Sequence, residues 1–151
     1  MEDRIDILFE EWRLLGAPVL VENIKPVKLR PITMIIAEST KYCRFSSRLT
    51  WILLGWACKN LDKIDVEKLL NQTKEIGDLT VLGVICEAIK AKSHTSELET
   101  IINQCPKSEK TEIFFHKIAS NKLATMIVEK EALPLFKKWN YLSAELEYIG
   151  L

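Results

Sequence analysis

The apolar residues of this chain recur mostly at steps of three and four, the spacing that gathers them on one face of an α-helix. Between Glu2 and Leu15, Ile5, Leu8, Phe9, Trp12 and Leu15 form such a face. Acidic residues stand at its front, where the positive end of the helix dipole favours them, and Gly16 follows as a stop. The pattern then lapses. Residues 16–31 hold Pro18, Pro26 and Pro31 among β-branched side chains, which predicts an extended segment with room for a short strand. Pro31 suits the first turn of a second helix that carries Ile32, Ile35, Ile36, Ser39 and Cys43 along one face. Ser46 or Ser47 is placed to cap a third, Leu49–Cys58, whose sequence is apolar nearly all round. A helix without a polar face is expected at the centre of the fold, with Trp51 and Trp56 densely packed.

Asp65 is a good N-cap for a helix over 66–75 with Val66, Leu69, Leu70 and Thr73 inward, and Gly77 ends it. Asp78 repeats the device for a helix over 79–90, with Leu79, Leu82, Ile85, Cys86 and Ile89 on one stripe. Ser96 can cap a short helix through Leu98, Ile101, Ile102 and Cys105, which Pro106 closes; Lys107–Thr111 reads as a loop. Phe114, Phe115 and Ile118 start a further helical face, extended by Leu123, Met126 and Ile127, with Asn121 marking a break. After Pro134 the stripe Leu135, Trp139, Leu142, Leu146 and Ile149 predicts a last helix. The expectation is a single all-α domain over residues 1–151, built of about seven or eight short antiparallel helices, with the proline-containing extended segment at 16–31. Consecutive hairpins of this kind stack as a small HEAT-like solenoid or pack as an irregular helical bundle. No strict repeat is visible at the tetratricopeptide period of about 34 residues or the HEAT period of about 40–47.

Composition agrees with that architecture. The chain has 151 residues, 48% of them hydrophobic, enough for a core without metal or disulfide staples. Five glycines and five prolines undersupply the tight turns of an all-β sandwich. Twenty-one basic residues balance twenty-one acidic ones, which excludes a histone-like polycation or an acidic tail. The opening Met1-Glu2-Asp3-Arg4-Ile5-Asp6 is acidic where a secretory leader would be basic, and a cytoplasmic protein is expected. The longest apolar run, Leu49–Cys58, is half the roughly 20 residues a membrane span requires, so no membrane association is expected. Cys43, Cys58, Cys86 and Cys105 fit no zinc or C-x-x-C redox spacing, and read as four free thiols.

Chemistry-bearing motifs are sparse. The sequence contains no dinucleotide fingerprint, P-loop, H-E-x-x-H, EF-hand loop or G-x-S-x-G. His94 lies in the polar link Lys92–Ser96 and reads as an exposed loop residue. His116, the other histidine, is the one candidate general base beside a cysteine nucleophile, although a lone pair defines no triad. Glu129, Glu131, Glu145 and Glu147 read as solvated helix-face acids. No catalytic residue, metal ligand or cofactor is therefore assigned, and the chain is read as non-enzymatic. An enzyme would need a motif of unrecognised type.

Charge distribution is more informative than net charge. Residues 1–22 carry Glu2, Asp3, Asp6, Glu10, Glu11 and Glu22 against Arg4 and Arg13, whereas residues 24–48 carry six cations against Glu38 alone. Lys25, Lys28, Arg30, Lys41, Arg44 and Arg48, with Tyr42 among them, form the candidate partner-binding set. Such cations can compensate helix ends and the acidic first helix, grip nucleic-acid phosphates through the 25–48 region, or meet a protein with an acidic surface. The protein partner is the reading adopted, with nucleic acid as the alternative.

Two stretches, Arg30–Tyr42 running on through Arg48-Leu49-Thr50-Trp51, and Glu131-Ala132-Leu133-Pro134-Leu135-Phe136-Lys137-Lys138-Trp139, resemble small all-helical prokaryotic proteins that accompany nucleotidyltransferase-like toxins. The likeness covers about a third of the chain. It implies an antitoxin-like or regulatory subunit that binds and restrains a partner enzyme, and it transfers no functional residue.

Overall fold

The computed structural model describes residues 1–21, 26–92, 95–116, 126 and 132–143. Among them it has seven α-helices and is all-α in class, as the periodicity predicts. In chain order these are α1 (Glu2–Leu14), α2 (Ile32–Tyr42), α3 (Ser47–Asn60), α4 (Val66–Ile76), α5 (Leu79–Lys90), α6 (Ser96–Gln104) and α7 (Pro134–Lys138). Single 3-10 turns, Cys43–Phe45 and Leu61–Lys63, lead into α3 and out of it. Two-residue strands, β1 (Glu112–Ile113) and β2 (Tyr141–Leu142), pair in parallel with Glu112 opposite Tyr141.

Helix starts follow local chemistry. The Ser46 hydroxyl accepts from Leu49 N–H, Asp65 from Lys68 N–H and Asp78 from Val81 N–H, each supplying a partner for an otherwise orphaned donor. For α6 the cap is Thr95 rather than the expected Ser96, one residue earlier. Gly16 ends α1 at φ 88°, a left-handed conformation open to glycine at little cost. Neither described part of the 16–31 region, 17–21 or 26–31, is helical.

The core runs from Leu8 in α1 to Tyr141 in β2, and α5 lies deepest: every residue from Val81 to Ile89 is buried. This corrects the expectation that Leu49–Cys58 would be central. One face of α3 is open, leaving Trp51 44% exposed. The outward line Arg48, Trp51, Gly55, Lys59 runs at steps of three and four, and charged residues at both its ends mark it as the solvent side. Leucine-rich composition hid that line.

The turn between α4 and α5 is pressed onto α2. Asp78 N–H donates to Thr40 Oγ1 at 2.9 Å, that hydroxyl donates to the Ala37 carbonyl at 2.6 Å, and a Cβ at position 77 would collide with the same carbonyl oxygen. Gly77 therefore ends α4 and also lets the turn approach. Gly77→Ala is expected to lower unfolding stability by about 1–3 kcal/mol, measured by urea titration, because the obstacle is rigid backbone.

The C-terminal part differs from its prediction. Phe114 and Phe115 do not start a helix but follow β1, where Phe114 N–H donates to the Leu142 carbonyl at 3.0 Å. Phe114 then packs against Phe136 and Tyr141, with both ring centroids at 5.1 Å. Helix α7 stops at Lys138 because Asn140 takes φ 62°, and the Asn140 side-chain amide donates to the Ser108 carbonyl at 2.8 Å. Leu142 consequently lies on β2. The predicted positions Ile118, Asn121, Leu123, Ile127, Leu146 and Ile149 fall outside the described residues, as do Glu129, Glu131, Glu145 and Glu147. No described helix is long and apolar enough to cross a membrane.

Candidate partner-binding groove

The structure distributes the basic set of residues 25–48 over different tasks. Arg30 folds back onto α1, donating from Nε and Nη2 to the two Glu11 carboxylate oxygens at 2.9 and 2.7 Å, and from Nη1 to Glu38 Oε1 at 2.8 Å. Glu38 also accepts from Arg4 Nε at 2.8 Å. Burial pushes the Glu38 carboxyl up, but the hydrogen bonds and charges of Arg4 and Arg30 outweigh it and hold it below its ordinary value. Arg44 donates to the carbonyls of Phe114 and Ile113 at 3.0 and 2.9 Å, pairs with Glu112 at 3.2 Å, and lies 4.8 Å over the Tyr141 ring. Arg48 donates to the Leu20 carbonyl and stacks 4.7 Å over Phe9. Tyr42 is buried, with the Lys41 ammonium 5.7 Å from its ring centre. Lys28 and Lys41 are exposed, while Lys25 lies outside the described residues. Three of these cations thus bind the fold together, Arg30 to α1, Arg44 to β1 and Arg48 to the chain after α1.

His116 stacks on Phe45 with ring centroids 4.2 Å apart. Burial and the nearby Arg44 charge lower its pKa, against an opposing pull from Glu112, which favours the uncharged imidazole. His94 lies outside the described residues. No group of three or more histidine, cysteine or acidic side chains suited to a metal occurs among the described residues.

A different feature presents an open concavity with an apolar floor. After Gly16 turns the chain out of α1, Leu15 to Pro18 run beside the exposed face of α3, leaving a groove of about 550 Å³ between them. Ile52 and Gly55 line its floor, Trp56 forms a wall, and Trp51 stands at its edge. Trp56 is held from behind by Trp12, their ring centroids 5.7 Å apart, and Trp12 is fixed in turn by a 3.0 Å hydrogen bond from its indole N–H to Ser39 Oγ. The groove wall is thereby linked through Trp12 to α2. Nothing lies within 4 Å of the position a Cβ would occupy at Gly55, so the floor is open at its middle. Lys59, Asn60 and Lys92 complete the rim.

Cys58 lines this groove and is half-buried, whereas Cys43, Cys86 and Cys105 are buried; all four are free thiols. Burial raises the Cys58 thiol pKa while the Lys92 and Lys59 ammonium groups pull it back. Burial lifts the Cys43 and Cys105 thiols to about 12. Cys58 is therefore expected to be the first cysteine alkylated by a maleimide in the native protein, with the other three reacting only on unfolding, as read by peptide mass spectrometry.

The groove is not apparent from the sequence pattern. Its local signal is a glycine at a helix-interior position, Gly55, flanked at four-residue steps by Trp51 and Lys59. The residues that close the groove from the other side belong to the chain that follows α1 and to Lys92 just after α5, so no local pattern joins them. Compared with protein-family models, curated proteins and solved structures, the chain matches none.

Proposed function

We propose that the chain is a protein-binding module, a restraining or regulatory subunit of the antitoxin-like kind, and that the groove between the end of α1 and the face of α3 is its contact surface. The observation that carries this reading is Trp51, left 44% exposed beside an apolar floor on a helix whose other face is core. Tryptophan is among the residues that contribute most when buried in an interface, and a wall already braced by Trp12 loses little conformational freedom on binding. A subunit bound in this way restrains an enzyme by covering its active site and needs no catalytic group of its own. Four free thiols accord with work in the reducing cytoplasm.

The internal engagement of Arg30, Arg44 and Arg48 favours this surface over a phosphate-gripping role for residues 25–48. The test is co-purification of the tagged chain from its native cells at moderate salt, with nuclease, beside a Gly55→Trp variant that fills the groove from outside the core. A partner protein retained after nuclease by the wild type and lost by the variant is the expected result. Retention of nucleic acid alone, falling steeply between about 50 and 200 mM salt, would instead establish the alternative.

A further inference from the structure

We infer that the groove recognises an acidic, apolar segment of its partner, with one aromatic or leucine side chain seated over Gly55 and carboxylates reaching Lys59 and Lys92. This rests on the protein-binding reading above and adds the chemistry of the bound segment. The floor is the apolar part of the groove. A helix-interior glycine costs stability relative to alanine, and here the space a methyl group would take is empty, so packing within the chain does not require glycine. What the missing side chain does provide is depth between Trp51 and Trp56, where an incoming bulky side chain can reach the α3 backbone.

The charged part is the rim. Among the described residues no carboxylate lines the groove, and two lysines do. Among the described residues neither Lys59 nor Lys92 has a carboxylate within ion-pair distance, whereas Lys90, at the end of α5, pairs with Glu99, and Lys138 pairs with Glu87. Both ammonium groups act on the Cys58 thiol, which places their fields inside the groove and not only at the outer surface. An apolar concavity under two positive charges that have no counter-charge among the described residues complements a segment whose bulky residue is flanked by Asp or Glu, and it repels a basic one.

The probe is a displayed library of random peptides about 12 residues long, selected on the wild-type chain at near-physiological salt. Enriched peptides are expected to carry an aromatic residue or leucine beside at least a pair of acids. Their affinity should fall at least about tenfold on Gly55→Trp and on the Lys59→Glu, Lys92→Glu double variant. The double variant changes only the rim, so it serves if the tryptophan disturbs folding, which circular dichroism checks for both. Peptides without acids, peptides still bound by Gly55→Trp, or no enrichment would overturn the inference. A concentration-dependent dimer in sedimentation that Gly55→Trp abolishes would assign the groove to a second copy and overturn it equally. If the native partner is lost with Gly55→Trp while the selected peptides lack acids, protein binding stands and the acidic segment falls. If no partner is retained either, both fall.

Discussion

Replacing Arg30 with alanine is expected to lower stability at pH 7 by about 3 kcal/mol, more than any exposed charge substitution in this chain. The reason is what the guanidinium leaves behind. Glu11 has a side chain only 1% exposed, and Arg30 supplies two charge-assisted hydrogen bonds to it. Glu38, 9% exposed, keeps Arg4 but loses its second cation. Breaking a buried pair from one side typically costs about 3–5 kcal/mol, and because Arg30 is itself 26% exposed the lower end applies. Arg30→Lys should recover little, since an ammonium cannot span both Glu11 oxygens and Glu38 in one plane. Glu11→Met added to Arg30→Ala should recover much of the loss by removing the stranded charge.

The effect has a defined pH dependence. Glu38 is held below its ordinary value of 4.5 in the folded chain, so its ion pairs contribute stability that is present above that value and is lost as pH falls through the lowered folded value. The gap between wild type and Arg30→Ala should accordingly be full at pH 7 and shrink below about pH 4.5. Urea titrations at pH 7 and pH 3.5 measure it. A gap under about 1 kcal/mol at pH 7, or one that widens in acid, would show that the network is solvated and contributes little.

Trp12→Ala should be at least as damaging, by about 3–5 kcal/mol, and should lower the melting temperature by about 10 °C. Trp12 is fully buried, joins α1 to α2 through its hydrogen bond to Ser39, and backs the Trp56 ring. Truncation opens a cavity, strands a buried hydroxyl and removes the brace of the groove wall. Trp12→Phe restores most of the volume but not the hydrogen bond and should cost about 1–2 kcal/mol. Thermal melts followed by circular dichroism separate the two variants. Equal stability of wild type and Trp12→Ala would mean that α1 is not an integral part of the core.

Much of this architecture is written locally. Helix starts at Ser46, Asp65 and Asp78, and stops at Gly16 and Gly77, are readable because a cap depends on side chains within three residues of the backbone it serves. Depth is less readable: Leu49–Cys58 and Leu79–Lys90 are both rich in apolar residues, and only their packing decides that α5 is enclosed while α3 keeps an open face. The β1–β2 pair escaped because its hydrogen bonds join Glu112 to Asn140 and Phe114 to Leu142, far apart in the chain. The contacts of the basic set are hidden for the same reason. Arg30 meets Glu11 at a separation of 19 residues and Arg44 meets the Phe114 carbonyl at 70, so charge order along the sequence could not say which cations fold inward.

The most direct test of the groove as a protein contact is photo-crosslinking in the native cell from position 51. With Trp51 replaced by a benzophenone amino acid, a discrete adduct to one partner protein is expected on irradiation, and none from the same probe at exposed Glu67 on α4, which does not line the groove. No protein adduct from position 51, or the same adducts from both positions, would contradict the account.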